Sequence, residues 1–198
     1  MSATFRRAPR AIAFALAIAV LLPTLAAQSA AALAAGASGS VSGRGKAIGS
    51  IEYLRGSIAI VRDGEALPEP GPGDLVYNGD LVRTDASSSA SIAMDPSSGF
   101  TGSIAISPGS ALYLNRSMQG QAKTKLDLMA GSLSAKVTKI AGTPSLDVAT
   151  GSSTFGVRGT EFQIALSLND SLLAVCLEGK VAVTSGENFT ALPAGQAI

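Results

Sequence analysis

The sequence predicts an all-β fold: short antiparallel strands forming a β-roll or β-helix-like sandwich, preceded by an N-terminal signal peptide. Three observations carry this. Apolar residues recur at spacing two in short runs. Turn residues divide those runs about every eight to twelve positions. The chain holds 22 Gly and 9 Pro among 198 residues, and no stretch sustains a helical period.

Composition narrows function before any motif is read. There is no histidine, which removes Ser-His-Asp and Cys-His catalysis and most zinc sites. One cysteine excludes an intramolecular disulfide framework. Fifteen basic against 14 acidic residues leave no electrostatic footprint for nucleic acid.

The N-terminus carries Arg6, Arg7 and Arg10, then an uncharged apolar run from Ala11 to Leu22 and small residues beyond Pro23. A basic head, an apolar middle and small-residue sites have the form of a secretory signal. Ala32-Leu33-Ala34 fits the cleavage rule, so residues 1–34 are expected to be removed and the protein to be periplasmic or secreted. The alternative is an anchor in the inner membrane. Against it, the run is shorter than the roughly 20 residues a span needs and is interrupted by Pro23. Residues 35–48 are Gly/Ser/Ala-rich and read as a flexible linker. The domain is expected over residues 49–198.

Within that domain the elements follow in order. Ile58 and Ile60 share one face. Gly73-Asp74-Leu75-Val76 recurs six residues later as Gly79-Asp80-Leu81-Val82, which reads as two successive turn-plus-strand units. Ala90, Ile92 and Met94 alternate, as do Ile104 and Ile106, then Leu112 and Leu114. Leu126 and Leu128 precede Gly131, and Leu133, Ala135 and Val137 follow it. Leu146 and Val148 lead to Gly151. Asn169-Asp170 predicts a hairpin before Leu172–Leu177, a continuously apolar run of the kind buried on both faces. Gly179 separates it from Val181 and Val183.

One segment breaks the period. Phe155 and Val157 are odd-numbered, whereas Phe162, Ile164, Leu166 and Leu168 are even-numbered. A strict period of two cannot place both sets on one face. A bulge or sharp bend is therefore expected between Val157 and Phe162, with Gly159 at positive φ and Thr160 hydrogen-bonding the turn.

The run Phe155-Gly156-Val157-Arg158-Gly159-Thr160-Glu161-Phe162 resembles the signature of the FecR-type domain, a bacterial periplasmic module. Gly79-Asp80-Leu81-Val82-Arg83-Thr84 is similar to that family's Gly-Asp turn and strand, and Ser89–Asp95 to the strand after it. Pro108-Gly109-Ser110-Ala111-Leu112, Leu128–Leu133 and Leu177-Glu178-Gly179-Lys180-Val181-Ala182-Val183 come in the same order. The resemblance covers Gly49 to Ile198. It implies an all-β periplasmic domain, with Val157, Arg158, Gly159, Thr160, Glu161 and Phe162 as a structural family motif. Namesake members are signal transducers that join a cytoplasmic sigma-factor-contacting segment, one membrane span and this domain. Only ten residues precede the apolar run here, so no direct sigma-factor contact is expected. A stand-alone exported member is expected, its partner an envelope or outer-membrane protein. The run Leu192–Ile198 is expected to begin a further strand, which leaves open a domain truncated at its C-terminus.

No residue set points to catalysis, a cofactor or a metal. Cys176 lies in an apolar run, where burial makes a thiol inert. Glu161 is read as solvent-facing or ion-paired. Lys123, Lys125, Lys136 and Lys139 form no Ser-Lys spacing, and Lys123 and Lys125 near Arg116 read as a wet basic loop. Asp74, Asp80 and Asp85 match no calcium loop and read as solvated turn carboxylates. Gly43-Arg44-Gly45-Lys46 lacks the length of a phosphate loop. Tyr53, Tyr77 and Tyr113 are the only tyrosines and Trp is absent, a thin basis for sugar stacking. The expected function is a non-catalytic module for protein interaction or signal reception in the envelope. The alternative is an envelope structural or glycan-binding module.

Overall fold

Alternating side chains make strands with one face for the core and one for solvent, and these strands assemble into two sheets that share a single long strand. The computed structural model describes residues 45–117, 123–138, 145–167, 169 and 171–198. The expected signal peptide, most of the linker and Leu168 lie outside them. Ile48, at the end of the composition-defined linker, is buried; its amide donates to Val76 O and its carbonyl accepts from Asp95 N.

Sheet I runs β4 (Leu75–Val76), β1 (Gly49–Arg55), β6 (Ser89–Met94), β7 (Thr101–Ile106), the second half of β9 (Lys123–Thr138), β12 (Glu161–Leu166) and β13 (Leu172–Glu178). Sheet II runs β3 (Glu65–Ala66), β2 (Ile58–Arg62), β5 (Leu81–Thr84), β8 (Ala111–Ser117), the first half of β9, β10 (Ser145–Ala149), β11 (Ser153–Val157), β14 (Lys180–Ser185) and β15 (Asn188–Pro193). The fold is the expected all-β one. One pair departs from the antiparallel expectation: β10 lies parallel to β9, Ser145 opposite Lys123 through Ala149 opposite Asp127.

The inward residues of both sheets form one core cluster, with Phe155 and Phe162 fully enclosed. Each such side chain contributes about 1.5–3 kcal/mol of burial free energy. The two Gly-Asp-Leu-Val copies take the same local form but serve different sheets. Val76 of β4 faces the core from sheet I and Val82 of β5 from sheet II.

Strand β9 crosses between sheets through a register break. Leu112 faces Leu128 and Ala111 faces Ala130, so Met129 is an extra residue on β9. The extra residue shifts the parity of the remainder of the strand. Leu126 and Leu128 point inward before it, and Leu133, Ala135 and Val137 after it. Gly131, at φ 79°, takes the left-handed backbone that the crossing needs. A Cβ there would lie 2.3 Å from Ser110 Oγ. Ser110 occupies that space, donating to Ser132 O at 3.0 Å and accepting from Ser132 N at 2.9 Å.

The Leu172–Leu177 run is a correction. It forms β13, but only one face is buried, with Leu173 and Leu177 exposed. The reason is position: β13 lies at the margin of sheet I, and among the described residues no further layer covers its outer face. Leu177 is also the extra residue of a second register break, since Glu161 faces Glu178 while Phe162 faces Cys176. The expected hairpin before it is present, Leu166 opposite Leu172.

Candidate functional site

The strongest local constraint is an ion pair between residues far apart in the sequence. Asp80, expected to be a solvated turn carboxylate, is instead 0% exposed. Arg62 Nε donates to Asp80 Oδ1 and Arg62 Nη2 to Asp80 Oδ2, both at 2.6 Å. Tyr77 N donates to Asp80 Oδ2 at 2.8 Å, and Arg62 Nη2 also reaches Leu75 O at 3.1 Å. The guanidinium stacks 4.5 Å from the Tyr77 ring centroid. A planar bidentate pair satisfies both charges where water is excluded. The hydrogen bond to Asp80 raises the Arg62 pKa further above its already high value. Asp74 and Asp85 remain exposed turn residues. Asp74 accepts from Gly71 N, and Asp85 accepts from Ser87 N, whose hydrogen bond holds its carboxyl below the usual range. Among the described residues no group of Cys, Asp and Glu is arranged to hold a metal ion.

The Arg62–Asp80 pair fixes the strands that carry an apolar shelf on the outer face of sheet II. Val61, Leu81, Tyr113 and Asp127 stand directly opposite one another on β2, β5, β8 and β9. The bulge sets Met129 beside this row, 62% exposed, and Tyr113 is 36% exposed. These residues, with Asp63, Gly64 and Gly79, line a shallow depression of about 620 Å³. Bulges recur where a strand must re-aim a side chain. The shelf is therefore an apolar platform with carboxylates at its rim, of which Asp127 pairs with Lys125 at 2.7 Å. Lys125 thus sits on a strand rather than in the expected basic loop. Sequence reasoning missed the shelf because Leu81 and Tyr113 are far from Met129 in the chain. The out-of-phase Met129 between Leu128 and Leu133 was the available signal.

Residues Val157 to Phe162 form a corner that takes the chain from β11 in sheet II to β12 in sheet I. Gly159 has φ 63°. Val157 and Phe162 both face the core, on either side of the parity change. Thr160 corrects the sequence reading: its Oγ1 is buried without a hydrogen-bond partner. The turn is tied instead through its carbonyl, which accepts from Val137 N at 2.8 Å. The Thr160 methyl packs towards Gly179, where a Cβ would lie 2.7 Å from it. Glu161 faces Lys136 across the strands and pairs with it at 3.1 Å. Arg158 is exposed beside the corner. Cys176 is buried and its thiol pKa is pushed up by desolvation.

Tyr53 is exposed on β1, and Tyr77 is engaged by Arg62. Among the described residues no helix is long and apolar enough to cross a membrane. The Gln196–Ile198 segment does begin a strand-like pairing, with Ala174 and Ile198 exchanging two backbone hydrogen bonds at 2.9 Å.

Comparison with known proteins covers part of the same region. The profile of the family described as FecR protein matches residues 80–182. Its match therefore begins at the buried Asp80 and spans the β9 crossing and the 157–162 corner. The fold is similar to that of a crystal structure of a candidate anti-sigma factor from Parabacteroides distasonis, with TM-score 0.52 and 14% identity over 60% of this chain. A second crystal structure of such a protein from the same organism gives TM-score 0.46 and 13% identity. The chain spans about half, 53%, of the first of these structures. No curated protein sequence matches. With a family match across more than half its length and the matching all-β fold, the chain belongs to the FecR family.

Proposed function

We propose that this protein is an exported regulatory module of the bacterial envelope, non-catalytic, that receives its signal by docking another envelope protein on the Val61–Leu81–Tyr113–Met129 shelf. Family membership supports the regulatory class. The observation that carries the docking reading is the shelf itself: Val61, Leu81 and Tyr113 aligned across three adjacent strands of the outer face, with the bulged Met129 beside them, where alternation would otherwise put polar groups. Export rests on Arg6, Arg7 and Arg10 followed by the apolar run, with cleavage after Ala34. Residues 35–47 then serve as a tether, while Ile48, buried in the core, joins residues 49–198 in the receiving domain, with Val157 to Phe162 as its structural motif.

The test places a photo-crosslinking residue at Tyr113 and, as a control on the same outer face, at Thr154, in the native envelope. The expected outcome is a discrete protein adduct from position 113 that is absent from 154. It should be lost in Met129→Lys, with the urea midpoint of that variant unchanged. Equal labelling from both positions overturns the docking surface. Intact mass of the envelope protein tests export, and retention of Met1 in a membrane fraction supports the anchor instead. A second reading, glycan binding, draws on the half-exposed Tyr113 ring standing opposite Asp127. Retention on peptidoglycan that Tyr113→Ala abolishes would favour it.

A further inference from the structure

A sheet edge with unpaired N–H and C=O groups is a template for another strand, and folded proteins blunt such edges. Among the described residues three of the four edges are blunted. β3 and β4 are two residues each. β13 is covered over Ala174–Cys176 by the segment Gly195 to Ile198, through hydrogen bonds from Ala174, Cys176, Gly195 and Ile198. The fourth edge is different. β15 runs six residues, Asn-Phe-Thr-Ala-Leu-Pro, pairs only with β14 and carries no charge. Its Phe189 is 69% exposed.

Strand alternation shows which groups this edge offers. Ala194 N donates to Gly179 O, so the amide of Ala194 points towards the β14 side. Two-residue alternation then turns Leu192, Thr190 and Asn188 to β14, and Phe189, Ala191 and Pro193 to the open edge. Pro193 has no amide, and its carbonyl is already used by Gln196 N. The free set is therefore the N–H and C=O of Phe189 and of Ala191, bounded by Pro193 at one end and the Gly186-Glu187 turn at the other.

We propose that β15 pairs antiparallel with β15 of a second copy of this chain, about a two-fold axis at Thr190. In that register Phe189 of each copy faces Ala191 of the other, and the two pairs exchange four main-chain hydrogen bonds. Opposite residues share a face, so the large Phe189 ring lies over the small Ala191 side chain. The charges match as well. Lys180 stands opposite Pro193 on the outer face of its own sheet, and Pro193 would stand opposite Glu187 of the second copy. Two strand spacings, about 10 Å at the backbone, separate Lys180 from that Glu187. The long side chains meet over the proline ring, twice by symmetry, and no like charges are opposed. A single strand pair is a small interface, so the dimer is a weak one, with association in the micromolar range.

Sedimentation of the full chain from about 10 to 500 µM, on the scale of such weak interfaces, tests this. Wild type is expected to pass reversibly from monomer to dimer. Ala191→Pro removes one outward amide and leaves the β14 bonds intact, so association should weaken by at least about tenfold while the urea midpoint holds. Lys180→Glu should weaken the dimer, and Lys180→Glu with Glu187→Lys should restore it. Thr190→Cys should crosslink to itself under mild oxidation, with Ser185→Cys as the control. A wild type that stays monomeric throughout, or a dimer indifferent to Ala191→Pro, overturns the proposal.

Discussion

Asp80 and Arg62 make the residue scale concrete. Both charges are out of water, and each is stable only because the other is present. Asp80→Ala leaves a buried guanidinium uncompensated and should cost about 3–5 kcal/mol, as should Arg62→Ala. Urea unfolding reads both, and the double variant should cost less than the sum of the two. Additive losses would show that the pair is not coupled. Thr160 predicts the opposite sign. Its hydroxyl is buried without a partner, so Thr160→Val should leave stability unchanged or raise it by up to about 1–3 kcal/mol. A loss of that size would mean the hydroxyl has a partner in solution. In the same corner Phe162→Ala should cost roughly 3–5 kcal/mol. Glu161→Gln should stay within about 1 kcal/mol, because its pair with Lys136 is partly solvated.

At the scale of elements, the crossing of β9 is the decisive device. Ser110 reaches into the space that Gly131 leaves, and its hydroxyl serves both backbone groups of Ser132. Ser132 O keeps a second donor in Ser107 N at 3.0 Å, so Ser110→Ala orphans chiefly Ser132 N. About 1–3 kcal/mol should be lost. Gly131→Val adds a collision with Ser110 to a positive φ and should destabilise by more. In the background of Ser110→Gly the excess for Gly131→Val should shrink only in part, because the Oγ contact is removed while the close approaches to the Cα of residue 110 at 2.6 Å and Gly109 O at 2.8 Å, and the strain, remain. Urea midpoints of the four proteins measure this directly. An excess that does not shrink would leave the backbone contacts and the positive φ, not the Ser110 side chain, as the cause.

The whole molecule unfolds around that shared strand. Sheet I uses the second half of β9 and sheet II the first, and the inward residues of both belong to one core. Neither sheet can separate without breaking the strand that the other needs. Hydrogen exchange should therefore give the same opening free energy for core amides of β7 in sheet I and β8 in sheet II. A gap of more than about 1.5 kcal/mol, a tenfold difference in the opening equilibrium, would show two cooperative units. The β15 edge should exchange fastest at low concentration and gain protection as the dimer forms.

Period-two alternation alone determined most of the strands and their inward faces, β1 and β13 excepted, and the bend at Gly159, because a side chain's face is set by its parity wherever one face meets a core. The same parity argument, applied to Leu128 and Leu133, would have located the β9 crossing. The resemblance around Phe155–Phe162 led to the family through residues close together in the chain. Tertiary structure decided what depends on distant partners. It buried Asp80 because Arg62 lies across from it, and exposed Leu173 and Leu177 because β13 ends a sheet. It placed Gly179 against Thr160, and set Tyr113 beside Met129 on a shelf. Parity is a local property of the chain, whereas burial, ion pairing and edge position depend on which strand arrives alongside, and strand pairing is not written in any single segment.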